Sequence, residues 1–205
     1  MARPLIITDC DEVLLHMLVP FRGWLDEAHG IHFSFASPFE EAFRHKESRD
    51  PVERAIVLSL LGGFFDSEMH RQRPITGALE AIARLSETAD IVVLTNLEEH
   101  RREPRTAQLA AHGLHAPVHC NRGGKGPAAA RIIAQYQPSV TLFIDDLESN
   151  HASLAEHVPQ TWRLHMVGEP ELAPFIATTP DAHTRIDRWD EAERWLATRI
   201  ADAAT

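Results

Sequence analysis

The segment Pro4-Leu5-Ile6-Ile7-Thr8-Asp9-Cys10-Asp11 decides the fold of this 205-residue chain. A short aliphatic run that ends in acidic residues is typical of a buried strand in a parallel sheet. In α/β folds, ligands bind beyond the carboxyl ends of such strands. Side chains two residues apart project to the same side of an extended backbone, so Asp9 and Asp11 are predicted to lie together there. Their mutual repulsion favours a bound cation or a shared proton, and metal-assisted catalysis is the first hypothesis.

Four further apolar segments predict strands, and the segments between them predict helices. The predicted strands cover residues 90–95, 116–119, 140–144 and 162–167. The predicted helices, with apolar residues at helical spacing, cover 78–87, 127–136 and 188–200. Strands that alternate with helices indicate a parallel sheet covered by helices on both faces. The expected fold class is therefore α/β, a three-layer Rossmann-like parallel sheet.

The stretch between the first strand and residue 74 lacks this alternation. It contains helical patterns at 20–29, 38–46 and 51–69 and no convincing strand. Asp50 and Pro51 form a helix-start signal, because aspartate caps a helix and proline suits its first position. We therefore predict a core made of residues 1–15 and 74–205, with a helical cap, residues 16–73, inserted after the first strand.

Composition limits the range of functions. The formal net charge of −10 argues against a protein that binds nucleic-acid backbones. The two cysteines are too few for a disulfide framework and fit a reducing compartment. No apolar run is long enough to span a bilayer, and the first strand begins too early for a secretory leader. We expect a cytoplasmic protein that binds neither nucleic acid nor membrane; the sequence does not indicate its oligomeric state.

Two later strand ends also carry polar residues. Thr95-Asn96 ends the second predicted strand, and Asp145-Asp146 ends the fourth. Lys125 begins the helix before that fourth strand, inside Gly123-Gly124-Lys125-Gly126. Each has an ordinary alternative, since both pairs are also typical of helix caps and Lys125 also fits a solvated loop. Their order at successive strand ends favours a common site.

In this order the motifs resemble those of the haloacid dehalogenase-like hydrolases, most of which are phosphatases. The matching segments are 5–13, 92–96, Lys125 and 142–146, and the resemblance covers the whole chain. It implies that Asp9 is a nucleophile that forms an aspartyl-phosphate, with Asp11 as general acid and then general base. It further implies that Thr95 donates a hydroxyl to the phosphoryl oxygens and that Lys125 supplies a positive charge.

The resemblance also implies a Mg²⁺ cofactor, because a few carboxylates together with phosphate oxygens and water suit this ion. The candidate ligands are Asp9, Asp11, Asp145 and Asp146, and Asp146 is preferred over Asp145. The inserted segment resembles the small helical cap that covers the site in this family and contacts the leaving group.

Asn96 and the cap residues Arg22 and Trp24 are candidate substrate contacts. Trp24 also fits the core of the cap itself, and Arg22 also fits a surface charge. The expected activity is hydrolysis of a small phosphomonoester. The alternatives are a phosphotransferase or mutase on the same site, and a scaffold that binds a phosphorylated ligand without turnover. Asp11 disfavours a dehalogenase, because that subgroup of the family lacks the second acid.

Overall fold

The computed structural model describes residues 2–203. Its strands are, in chain order, β1 (Leu5–Thr8), β2 (Ile31–Phe33), β3 (Phe43–His45), β4 (Asp90–Thr95), β5 (Val118–Cys120), β6 (Thr141–Asp145), β7 (Trp162–His165) and β8 (Thr184–Arg185). Its α-helices are α1 (Leu18–His29), α2 (Phe39–Ala42), α3 (Arg54–Ser67), α4 (Ala78–Ser86), α5 (Arg102–Ala111), α6 (Gly126–Tyr136), α7 (Glu148–His157) and α8 (Trp189–Asp202). None of the helices in this part of the chain is long and apolar enough to cross a membrane.

The described residues form two compact units, one made of residues 2–15 with 74–203 and the other of His16–Arg73. The first unit contains a six-stranded parallel sheet in the order β5-β4-β1-β6-β7-β8. The chain moves from β1 to β4 and β5 on one side, then crosses to β6 on the other side. The crevice beyond the end of β1 is therefore a topological switch point, where such sheets bind ligands.

Apolar layers on both faces of the sheet hold this unit together. Because strand side chains alternate, Ile6 packs on one face while Leu5 and Ile7 pack on the other, and all three are fully buried. Helices α4, α5 and α8 cover the first face, and α6 and α7 cover the second. Burial of each such side chain contributes about 1.5–3 kcal/mol. The predicted three-layer α/β sheet is confirmed.

The sheet edges differ slightly from the sequence prediction. The edge strand β5 spans Val118–Cys120 rather than 116–119. Pro117 has no amide hydrogen to donate, and it joins β4 only by accepting a hydrogen bond from Val93 N. At the other edge, β8 is two residues long and was not predicted, because so short a segment has no recognisable alternation.

The unit His16–Arg73 is not purely helical, which corrects the prediction for this segment. Strands β2 and β3 pair antiparallel, with Phe33 opposite Phe43. Their rings stack with centroids 4.2 Å apart, so the helix predicted over 38–46 ends at Ala42. Asp50 and Pro51 do not start α3, which begins at Arg54. Residues 50–52 instead continue the β pairing, because Val52 N donates to Phe43 O.

Candidate active site

Asp9 follows the central strand β1 and is 6% exposed. Its Oδ1 atom accepts hydrogen bonds from Cys10 N at 2.7 Å and from Lys125 Nζ at 2.8 Å. Burial raises the pKa of Asp9 to about 7; Lys125 opposes this shift, whereas Asp145 and Asp11 add to it. The carboxyl group is therefore fixed in position, and a further positive charge nearby would lower its pKa.

Lys125 is a fully buried lysine between two carboxylates. Its Nζ atom lies 2.8 Å from Asp9 Oδ1 and 2.6 Å from Asp145 Oδ2. Burial disfavours the ammonium form, but the two carboxylates outweigh it and raise the pKa of Lys125. The alternative of a solvated loop lysine does not hold, since the side chain is 0% exposed.

The glycines around Lys125 explain how the lysine is placed. A Cβ atom at Gly126 would overlap Ser153 O, and one at Gly124 would lie 2.5 Å from Ser153 Oγ. Gly126 N donates to Ser153 Oγ at 2.9 Å. Only glycine permits this close approach, so α6 begins directly against α7. Lys125, the residue before α6, is thereby fixed within reach of both strand ends.

Asp145 ends β6 and is fully buried. Besides holding Lys125, it accepts hydrogen bonds at Oδ1 from Leu147 N and Asn150 Nδ2, both at 2.9 Å. It therefore also holds the turn that leads into α7. The helix-cap alternative for the pair 145–146 does not hold, because Leu147 is the residue before α7 and no described side chain caps that helix. Both of its oxygens accept hydrogen bonds from the protein.

Asp146 is partly exposed and follows Asp145 in the chain. One carboxylate oxygen each from Asp9, Asp145 and Asp146 lie within 4.8 Å of one another. Partial burial, together with the charges of Asp145 and Asp9, raises the pKa of Asp146. Lys125 balances one of these three negative charges, and the remaining repulsion favours bound protons or a further cation.

Two buried histidines hold the peptide groups of the acidic pair. His151 Nε2 lies 3.0 Å from Asp145 O, and His165 Nε2 lies 3.0 Å from Asp146 O. A carbonyl oxygen only accepts, so both Nε2 atoms donate. Burial lowers the pKa of both imidazoles, which favours the neutral form. Sequence reasoning missed this support, because the two residues lie on different elements with no motif to link them.

Arg105, on α5, was also missed and contacts the carboxylate of Asp11 directly. Its Nη2 atom lies 2.9 Å from Asp11 Oδ1 and 3.1 Å from Oδ2, while Nη1 donates to Cys10 Sγ at 3.1 Å. The guanidinium is 0% exposed; burial disfavours its charge, but Asp11 outweighs this and raises the pKa of Arg105. The four candidate metal ligands therefore divide, since Asp11 pairs with Arg105 while Asp9, Asp145 and Asp146 lie together.

Thr95 and Asn96 lie at the end of β4, next to β1 in the sheet. Thr95 is buried and its carbonyl accepts from Asn121 N at 2.9 Å. Asn96 is exposed, and its Oδ1 accepts from Asn121 Nδ2 at 2.8 Å. The helix-cap alternative does not hold, because the 3-10 turn that precedes α5 begins only at Glu99, after Glu98. Their contacts with a substrate stay predictions.

Arg22 and Trp24 lie in the unit His16–Arg73, and their substrate contacts also stay predictions. Trp24 is half-buried among Phe21, His29 and Phe64, with its ring centroid 4.3 Å from that of His29. It therefore contributes to the core of this unit. The guanidinium of Arg22 lies 4.5 Å from the centroid of the Phe35 ring.

No protein-family model matches the chain, and no curated protein matches it either. Solved structures do. A haloacid dehalogenase-like family hydrolase from Streptococcus pneumoniae has a TM-score of 0.64 at 11% identity, over 94% of this chain and 97% of that one. A putative phosphoglycolate phosphatase from Lactobacillus delbrueckii subsp. bulgaricus has a TM-score of 0.63 at 14% identity, over 96% and 99%. An L-2-haloacid dehalogenase has a TM-score of 0.60 at 11% identity, over 95% and 99%.

These similarities extend over nearly the whole of each chain. At such low identities they establish the fold and not the reaction. The chain has the haloacid dehalogenase-like fold, as its ordered motifs predicted.

Proposed function

We propose that this protein is a Mg²⁺-dependent phosphohydrolase that acts on a small phosphomonoester through an aspartyl-phosphate on Asp9. The observation that carries the proposal is the contact between buried Asp9 and buried Lys125, at 2.8 Å, with Asp146 alongside. Phosphoryl transfer depends mainly on positioning and on charge neutralisation, and this arrangement supplies both.

In the first step, Asp9 attacks the phosphorus atom and the bond from phosphorus to the leaving-group oxygen breaks. We assign the attack to Oδ2, because Oδ1 accepts from Cys10 N and Lys125 Nζ. The leaving oxygen takes the proton from the carboxyl group of Asp11. Lys125 remains beside Asp9 and offsets negative charge as the phosphoryl group arrives.

In the second step, a water oxygen attacks the phosphorus atom of the aspartyl-phosphate. One proton of that water passes to Asp11, now acting as the base, and the bond between phosphorus and Asp9 breaks. Phosphate leaves, the carboxylate of Asp9 is restored, and Asp11 is protonated again for the next cycle.

The donor set of the site fits Mg²⁺, because carboxylate oxygens converge there and this ion prefers oxygen ligands. We assign Asp9 and Asp146 as the protein carboxylate ligands. Asp145 is better described as the anchor of Lys125, since both of its oxygens accept from protein donors. When bound, the ion would neutralise charge on the transferred phosphoryl group.

A panel of alkyl, sugar, nucleotide and aryl phosphates, assayed with Mg²⁺ and with excess chelator, tests this function. We expect Mg²⁺-dependent phosphate release from at least one ester, loss of release with Asp9→Asn, and no change with Asp190→Asn, an exposed carboxylate on α8. Binding of phosphate esters without turnover of any would contradict the proposal and support a scaffold. Transfer to a second substrate in place of water would support a phosphotransferase.

A further inference from the structure

The two acids at the end of β1 are each paired with a different buried cation. Lys125, before α6, contacts Asp9, and Arg105, on α5, contacts Asp11. Both cations are fully buried. Lys125 is accounted for by the proposed chemistry at Asp9, whereas Arg105 has no part in it so far.

The contacts of Arg105 fix both the cation and the acid. Nη2 contacts both oxygens of Asp11, and Nη1 of the same planar group donates to Cys10 Sγ. Three contacts to one rigid guanidinium define its plane, and the plane in turn limits how the Asp11 carboxyl group can rotate. Arginine is rarely buried in this way without such pairing.

We propose that Arg105 is a positioning residue that orients the Asp11 carboxyl group for its acid and base steps. This inference rests on the proposed function, because it concerns the steps assigned to Asp11. Without Arg105, the Asp11 carboxyl group loses the two contacts with Nη2 and is held less firmly toward the leaving oxygen and the attacking water. Only the steps that need Asp11 should then slow down.

Two leaving groups separate those steps. An alkyl phosphate needs a proton from Asp11 as its bond breaks, whereas nitrophenolate leaves well without one. Hydrolysis of the aspartyl-phosphate needs Asp11 as a base whichever substrate formed it. Arg105→Met should therefore form the phosphoenzyme from nitrophenyl phosphate at close to the wild-type rate and then hydrolyse it slowly.

The experiment is single-turnover kinetics with acid-quench measurement of protein-bound phosphate, using alkyl and nitrophenyl phosphates. For Arg105→Met we expect phosphoenzyme formation from nitrophenyl phosphate to fall by less than about threefold and its hydrolysis to fall by about 10–10²-fold, within the range of acid–base catalysis. Arg105→Lys keeps the charge but not the planar group, so its rate of phosphoenzyme hydrolysis should lie between those of the wild type and Arg105→Met. Arg102→Met, an exposed arginine on the same helix, is the matched control and should resemble the wild type.

A double-mutant cycle gives the sharpest result. In an Asp11→Asn background, Arg105→Met should change the rates by less than about twofold, because both residues act through one carboxyl group. The double variant also leaves no unpaired carboxylate beside Arg105's position, so it keeps the test available if Arg105→Met alone fails to fold. Thermal melts followed by circular dichroism report the folded fraction of each variant.

Two results would overturn the inference and leave Arg105 a purely structural residue. One is an equal loss of rate in both steps, and the other is a double variant whose fold-loss equals the product of the losses in the two single variants. The proposed function fails in a different way, through a wild-type protein that forms no phosphoenzyme from any ester. If the wild type forms a phosphoenzyme but Arg105→Met has the same ratio of formation rate to hydrolysis rate, only the role of Arg105 is contradicted, and the proposed function stands.

Discussion

The Nζ atom of Lys125 lies 2.6 Å from Asp145 Oδ2, and both side chains are fully buried. The same Nζ atom contacts Asp9 Oδ1, so one ammonium group joins the ends of β1 and β6. A buried charge is costly unless it is paired, and here the pairing offsets part of the negative charge of the site. The lysine is thus both a structural bridge and the nearest positive charge to the proposed nucleophile.

Replacing Lys125 with methionine is expected to affect stability and activity together. The variant leaves Asp9 and Asp145 without their shared cation, which should lower the free energy of unfolding by about 3–5 kcal/mol. Loss of the positive charge beside the transferred phosphoryl group should lower kcat by about 10²–10³-fold. Denaturant unfolding and phosphate-release assays measure the two effects.

The double variant Lys125→Met/Asp145→Asn separates these effects. Asparagine keeps an acceptor for Leu147 N while removing one unpaired charge, so stability should partly return. Activity should stay low, because the positive charge beside Asp9 is still missing. Recovery of activity along with stability would show that Lys125 acts only through folding.

Gly126 is expected to tolerate no side chain, because α6 begins directly against α7. Gly126→Ala should lower the free energy of unfolding by about 1–3 kcal/mol, the usual cost of overpacking. Gly23→Ala is the control, since Gly23 lies inside α1 with no atom within 4 Å of its added Cβ. That change should stabilise α1 by up to about 1 kcal/mol. Identical urea midpoints for the two variants would contradict the packing explanation.

Mg²⁺ affinity is expected to depend on pH through Asp9 and Asp146. Burial raises the pKa of Asp9 to about 7, and it also raises the pKa of Asp146. A protonated carboxyl must lose its proton before it ligates the ion, so affinity should rise with pH through the pKa of Asp9, about 7, and the raised pKa of Asp146 should steepen this dependence. Each proton released weakens the affinity about tenfold per pH unit below the pKa of its group. Titration calorimetry in buffers of different ionisation enthalpy counts those protons.

The same titrations distinguish the roles of the acidic pair. Asp146→Asn should remove a ligand, weakening Mg²⁺ binding by at least about tenfold with little loss of stability. Asp145→Asn should chiefly lower the free energy of unfolding, since it removes the charge partner of Lys125. An affinity that is flat between pH 5.5 and 8, or a larger affinity loss for Asp145→Asn, would contradict our ligand assignment.

Arg22 and Trp24 should behave differently when replaced by alanine. Trp24 packs among aromatic rings, so Trp24→Ala should lower the free energy of unfolding by up to about 3 kcal/mol, less than for a fully buried tryptophan. On the hypothesis that Arg22 contacts the substrate, Arg22→Ala should instead alter the relative kcat/KM among physiological phosphate esters, because binding energy remote from the reacting centre is used for orientation. Trp24→Phe is the control, because it keeps an aromatic ring among the same neighbours and should lose less stability than Trp24→Ala. Equal losses on every ester for Arg22→Ala would remove it from substrate selection.

Much of the fold was predictable because buried strands have a simple signature. The aliphatic runs at 5–8 and 90–95 match β1 and β4 closely, and the order of polar residues at strand ends placed Asp9 and Lys125 at the same edge. The pair β2–β3 escaped detection because three-residue strands are too short for alternation to be recognised. There, Phe43 pairs and stacks with Phe33, ten residues away, and local helical propensity does not report such a contact.

The support of the site was not predictable in the same way. Arg105 lies in a polar stretch of α5, where an arginine normally indicates a solvated helix face. Its burial depends on a partner 94 residues away, Asp11, and no local pattern reports such a contact. His151 and His165 were missed for a different reason, since their partners are backbone carbonyls, which every residue type provides and no sequence pattern reports.

Covalent capture of the phosphoryl group tests the central claim most directly. The protein is mixed with nitrophenyl phosphate and Mg²⁺, quenched in acid within one turnover, digested and examined by mass spectrometry. We predict one phosphoryl group on Asp9, absent with chelator and absent in Asp9→Asn. Steady turnover without any protein-bound phosphate, or phosphate on a residue other than Asp9, would contradict the account.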